Sequence, residues 1–274
     1  MKKAIHHLLL VLLLPFLGLA QNTHKMRGMS VDTVRVEGRV GLEIFFDEMP
    51  GQRFVLEIPE IFTLKDSKSG LFNYSNQVWT FHKRGAALDL EDRQYKYSIQ
   101  LRPIRAKRSV GVSWDITFLN KTGQTVNDLA AFNCWTMNTA PLFKDIHMER
   151  TTVHDASGNS ILLKDVRKSQ GDGRRTMQFY PSVNGIDLAA SDWIKQWNVI
   201  SDQPLSGTHV SITSTDAKWV FENNVKGNVA YFFNNWEGDH GCVHASPLLA
   251  RELKPGRKAK ASGEFRFTRA ISSL

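Results

Sequence analysis

Cysteine is almost missing from this chain: Cys134 and Cys242 are the only two in 274 residues. That excludes a disulfide-dense scaffold, and a chain of this length can bury a large core without such staples. Proline (nine) and glycine (19) are sparse and follow no period, which excludes collagen and low-complexity Pro/Gly chains. Long apolar runs are missing beyond the first twenty residues, so no membrane-spanning helix is expected further on. The chain also lacks a phosphate-binding glycine loop, a dinucleotide fingerprint, Gly-x-Ser-x-Gly, His-Glu-x-x-His and paired Cys-x-x-Cys. Nucleotide chemistry, the usual serine-hydrolase elbow and the common zinc signatures lose their sequence support together. No cofactor is implied.

The one long apolar run has a specific form. Met1-Lys2-Lys3 is a basic start, Leu8 to Leu19 is apolar apart from Pro15 and Gly18, and Gly18-Leu19-Ala20 places small residues before Gln21. This is the pattern of a secretory signal peptide over residues 1–20, leaving 21–274 as an exported, periplasmic or extracellular chain. In an oxidising compartment Cys134 and Cys242 could pair as a disulfide; two buried reduced thiols are the alternative. The net charge is +8. Its basic residues are scattered, however, and export removes most nucleic-acid partners, so none is expected. The run Arg102-Pro-Ile-Arg105-Ala-Lys107-Arg108 reads as a solvated strand end or as an anion-binding patch.

What is present is period-two alternation. Thr33, Arg35, Glu37 and Arg39 alternate with Val34, Val36 and Val40, and the habit returns at Phe54–Ile58, Tyr95–Leu101, Val112–Phe118, His209–Thr213, Trp219–Phe221, Val229–Phe233 and Gly263–Thr268. Such segments, rich in β-branched and aromatic residues, predict half-buried strands. Turn signals separate them at Met49-Pro50-Gly51, Lys121-Thr122-Gly123, Ala156–Asn159, Gly171-Asp172-Gly173 and Lys254-Pro255-Gly256. Only Ser191–Trp197 reads as a short helix. Many short strands without intervening helices predict an all-β, antiparallel sandwich, here taken as one domain with very little helix and no linker between about residues 28 and 270.

Reactive side chains concentrate between Asn234 and Pro247, where His240, Cys242 and His244 stand at alternate positions beside Glu237 and Asp239. In an extended segment those three share a face. Imidazole and thiolate together suit zinc or copper, while His244 alone could serve as an acid–base group near neutral pH. A buried cysteine with histidines hydrogen-bonded at a strand start is the plainer reading.

The same region resembles galactose mutarotase-like proteins. Gly241-Cys242-Val243-His244-Ala245-Ser246-Pro247, the Leu253-Lys254-Pro255-Gly256 turn and the strand ending at Phe267 are similar to the closing segment of aldose 1-epimerases, whose late strand carries the catalytic base. Ile116–Val126 running to Phe132-Asn133-Cys134-Trp135 resembles the family's strand, Asn-x-Thr turn and return strand, without the histidine that the family has there. The segment also resembles secreted bacterial proteins with a Cys-x-His-x-x-Pro signature. The resemblance implies a β super-sandwich with His244 at the base position and Cys134 and Cys242 both near a concave face. It also implies Trp135, Trp236, Arg102, Arg105, Asn133, His147 and His240 as a carbohydrate-binding surface, with an anionic poly- or oligosaccharide as one form of ligand. Three readings stay open. One is a carbohydrate-recognition protein. Another is a glycan-active enzyme, an epimerase variant or a lyase using His244 with Tyr95 or Tyr231 as proton donor. The third is a metal protein built on His240, Cys242 and His244.

Overall fold

The computed structural model describes residues 23–65, 77–169, 176–238 and 240–271. The leader at 1–20, the glycine turn at 171–173 and Asp239 lie outside them. Among these described residues the alternating segments fold into two antiparallel sheets. Sheet one has eight strands: β1 (His24–Met26), β2 (Met29–Val36), β3 (Arg39–Phe46), β4 (Phe54–Thr63), β9 (Val126–Thr136), β16 (Cys242–Leu253), β15 (Val229–Asn235) and β12 (Met177–Pro181), neighbours in that order. Sheet two has nine, in the order β11 (Ser160–Leu162), β10 (Thr151–Asp155), β13 (Leu205–Thr213), β14 (Trp219–Val225), β17 (Lys258–Arg269), β8 (Ser109–Asn120), β7 (Tyr95–Ala106), β6 (Gly85–Glu91) and β5 (Thr80–His82). The all-β antiparallel sandwich expected from the alternation is what forms. No helix among the described residues is long and apolar enough to cross a membrane.

The sheets meet through their inward side chains. Along β8, Trp114, Ile116 and Phe118 are buried while Ser113, Asp115 and Thr117 stay half-buried on the other face. From sheet one, Phe54, Leu56, Phe62 and Trp135 enter the same core. Trp135 lies nearly parallel to Phe265 of the opposite sheet, with ring centroids 4.9 Å apart, and Phe54 meets Phe267 at 4.7 Å. Each such buried side chain contributes about 1.5–3 kcal/mol of hydrophobic stabilisation. Asn120 fastens the turn after β8: its Nδ2 donates to the carbonyls of Gln124 and Leu253, both at 2.8 Å, and its Oδ1 accepts from Thr122. This turn ties the β8–β9 connection to the end of β16.

Among the described residues, helix is confined to single turns. The segment read as Ser191–Trp197 forms only α1 (Asp192–Lys195), capped by Ser191 Oγ, which accepts from the Ile194 amide at 3.4 Å. Asn198, at φ +52°, ends any continuation because the left-handed region breaks the helical repeat.

Candidate functional site

Sheet one is apolar on both faces over its centre. In β9, Leu129, Ala131 and Trp135 point into the inter-sheet core, while Ala130 and Phe132 join a second cluster on the outer face. There Phe132, Phe179 and Phe233 pack together, Phe179 and Phe233 at 4.4 Å and Phe132 and Phe233 at 4.9 Å. The stretch from Ile186 to Ile200 covers them, inserting Ile186, Leu188, Ile194 and Val199 and setting Trp193 edge-on to Phe132 at 5.6 Å. Beside this cover opens a cavity of about 480 Å³, within the size range of small-molecule sites. Its lining combines the apolar Trp193, Trp197, Phe179 and Met177 with the polar Glu37, Arg39, Glu60, Asn235, Glu237 and His240. Cys134 and Cys242 also line it.

An irregular ladder places the carboxylates. Glu57 of β4 stands opposite Cys134 of β9, but the next paired position is Ile61 opposite Phe132, so β4 spends two extra residues there. Pro59, which cannot donate to a ladder, sits within that bulge. In a regular strand Glu57 and Glu60 would face opposite sides; the bulge brings both carboxylates within 4.8 Å of the Cys134 sulfur. Arg39, from the start of β3, binds Glu57 through Nε at 2.7 Å and reaches Glu37 and Glu60 through Nη2 at 3.3 and 3.4 Å. Burial and the neighbouring Glu57 charge push Glu60 up to about 8, against the pull of Arg39. Burial also raises Glu57, and Arg39 opposes it.

The two cysteines meet where β9 and β16 run side by side. Met137 donates its amide to the Gly241 carbonyl at 2.6 Å. A Cβ on Gly241 would come within 2.7 Å of the Asn138 backbone nitrogen, so only glycine allows this approach. The Cys134 and Cys242 sulfurs and a His244 ring nitrogen then lie within 4.8 Å of one another, and both cysteines are free thiols. The nearby Cys242 sulfur, together with burial, drives Cys134 well above the ordinary thiol range. Burial also works to raise Cys242, but Cys134 and the His244 and His240 imidazoles hold it well below that range. His244 is 1% exposed, packs on Phe132 with centroids 4.3 Å apart, and has no hydrogen-bond partner at either nitrogen among the described residues.

The residues singled out from the sequence scatter more widely than expected. His240 lines the cavity, but β16 begins at Cys242, so His240 sits in the preceding loop with Nε2 3.5 Å from Glu37 and does not join Cys242 and His244. His244 shares a face with Cys242 yet lies behind the cavity wall, without lining it. Trp135 and Asn133 are in β9 but turned away from the cavity: Trp135 is fully buried between the sheets and Asn133 is 1% exposed. Trp236 belongs to that same inter-sheet core. Strand alternation, which puts Cys134 and Phe132 outside, necessarily puts Asn133 and Trp135 inside. Arg102 and Arg105 are on β7 of the other sheet, paired with Asp115 and with Glu48 respectively. His147 is exposed in the loop after β9 and lines no part of this cavity. Tyr95 lies in the inter-sheet core; Tyr231 is fully buried on the outer face, its hydroxyl 3.3 Å from Thr63 Oγ1.

Sequence reading passed over Arg39, Glu57, Glu60, Trp193 and Trp197. A signal for the acids was present: Glu57-Ile58-Pro59-Glu60 sets proline inside a strand, which marks an edge or a bulge. The two tryptophans stand four apart across the short helix, a spacing that puts them on one side of a turn.

No family model and no curated protein matches the chain. Among solved structures it is similar to the Slr1438 protein from Synechocystis sp. PCC 6803, at 9% identity and a TM-score of 0.48, over 89% of this chain and 92% of that one.

Proposed function

We propose that this is an exported carbohydrate-recognition protein of mutarotase-like architecture, binding a neutral saccharide in the cavity on the outer face of sheet one. One observation carries the reading: one cavity is lined by Trp193 and Trp197 together with Glu37, Arg39, Glu60, Asn235 and Glu237. A pyranose ring has an apolar face that an indole covers, and its hydroxyls donate to carboxylates and accept from guanidinium and amide groups. Carboxylates outnumber cationic groups in this lining, which favours a neutral sugar over an anionic one. Arg102 and Arg105, the groups an anionic glycan would want, are committed to ion pairs on the other sheet.

A glycan array followed by titration calorimetry on any hit tests this. Neutral glycans bind, and Trp197→Ala weakens them about tenfold through the lost aromatic contact. Failure of every neutral glycan, or undiminished binding by the variant, overturns the reading. A second reading, a glycan-active enzyme, draws on the two thiols and Glu60 lining the cavity, with Glu57 close beside Cys134, which recognition alone does not require. Analysis of a bound glycan after prolonged incubation separates the two: an altered product identifies the enzyme.

A further inference from the structure

At the back of the cavity floor lies a donor set that sugar binding does not use. Cys134 and Cys242 are each 2% exposed and His244 is 1% exposed, with one donor atom from each within 4.8 Å of the others. They come from strands brought together by the close approach at Gly241, not from one sequence motif. His244 supplies a second, independent observation. Its ring is held between Phe132 and Phe233, at 4.3 and 5.4 Å, and neither nitrogen has a hydrogen-bond partner among the described residues. Buried polar groups are normally satisfied, so an imidazole with a ring nitrogen within 4.8 Å of two sulfurs and no hydrogen-bond partner at either nitrogen among the described residues points to an occupant.

We propose that Cys134, Cys242 and His244 form a zinc site whose remaining coordination position opens into the saccharide cavity. Two thiolates select against magnesium and calcium, and a mixed sulfur–imidazole set suits a borderline ion such as Zn²⁺. Zinc–ligand bonds of about 2.3 Å to sulfur and about 2.0–2.1 Å to nitrogen are within reach of donors this close, by small side-chain rotations. The orientation follows from the lining: both cysteines border the cavity, while His244 does not. The ion therefore sits between the imidazole and the open space, with three protein ligands and one position facing outward, the arrangement that zinc uses when a water or a substrate oxygen is to be held. Glu60 borders that space, its carboxylate within 4.8 Å of the Cys134 sulfur, where it can bind the ion or accept from its water. On binding, the cation sheds water and the thiol protons pass to solvent. The loop residue His240 is not part of the set.

This inference does not rest on the saccharide reading, since the metal is titrated without any glycan. The protein is reduced, stripped with a chelator, and titrated with Zn²⁺ against a chromophoric competitor; Co²⁺ is then substituted as a spectroscopic probe. Stoichiometric Zn²⁺ binding and a thiolate-to-cobalt charge-transfer band are expected. Cys242→Ser and His244→Ala each weaken Zn²⁺ by more than about 100-fold, the upper range for loss of an outer-shell partner alone. His147→Ala, remote from the cluster, changes nothing. Absence of Zn²⁺ binding by the folded, reduced wild-type protein overturns the proposal. So does a cobalt spectrum without the thiolate band, or binding that survives Cys134→Ser together with Cys242→Ser. Circular dichroism reports folding of the variants, and the wild-type stoichiometry and spectrum decide the question even if a variant fails to fold.

Discussion

Sheet two leaves its outer face to water along β7, β8 and β17, whereas the centre of sheet one is covered on both sides, by sheet two on one and by the Ile186–Ile200 segment on the other. The two sheets are built by the same rule and finish differently. A face left wet needs only polar side chains at alternate positions, and its strands contribute stability through a single core. A face covered a second time can exclude water from thiols, carboxylates and an imidazole, and so can shift their ionisation and concentrate their chemistry. The candidate site is on the doubly covered sheet for that reason, while the paired arginines of β7 lie on the wet one.

That contrast is sharpened first by emptying the shared core. Trp135→Ala removes the ring that stacks on Phe265 across the two sheets and should cost about 3–5 kcal/mol in urea unfolding, enough to threaten the whole fold. Ile194→Ala cuts into the outer cluster alone. A loss of about 2–3 kcal/mol is expected, accompanied by weaker saccharide binding as the Trp193 and Trp197 side loosens. If Ile194→Ala instead matches Trp135→Ala in cost, the outer cluster is part of the main core and the comparison fails.

The wet sheet carries smaller effects. Arg266 and Lys226 hold Glu264 below the usual carboxylate range despite partial burial. A carboxylate depressed in the folded state stabilises above its unfolded pKa, and that contribution disappears as pH falls through the folded value. Glu264→Gln should therefore lower stability at neutral pH, where that contribution is fully present, and converge with wild type as pH falls below about 5, measured by thermal unfolding. Smallest of all is Thr117→Val on the half-buried face of β8, expected within about 0.5 kcal/mol of wild type by the same measurement.

How much was legible follows the same division. The strands of sheet two declare themselves because one wet face keeps polar residues at every second position, as in Tyr95–Leu101 and Val112–Phe118. In sheet one the strands were still visible, but Ala130-Ala131-Phe132-Asn133-Cys134-Trp135 offers buried positions on both sides and no mark of which side holds the site. The resemblance makes Trp135 a ligand contact, whereas the fold makes it a core ring. Alternation did put Cys242 and His244 on one face. It could not show that Gly241 ends the extended run and leaves His240 in a loop. The proline in Glu57-Ile58-Pro59-Glu60 marks a bulge but not its neighbours: only long-range pairing of β4 with β9 and β3 brings Glu57, Glu60 and Arg39 to Cys134. Local pattern carries no information about which distant strand becomes a neighbour.

The two-residue excess in β4 also separates what this chain needs to fold from what it needs to act. Register is regular on either side of it, from Val55 to Glu57 and from Ile61 to Thr63. A relative that lacked Pro59 and Glu60 would keep every flanking pair and Ile58 in the inter-sheet core, but would no longer present two acids to the thiols. Loss or gain of the second acid is thus one short insertion away on an unchanged scaffold, and the length of this strand would tell which relatives set two carboxylates beside the thiols.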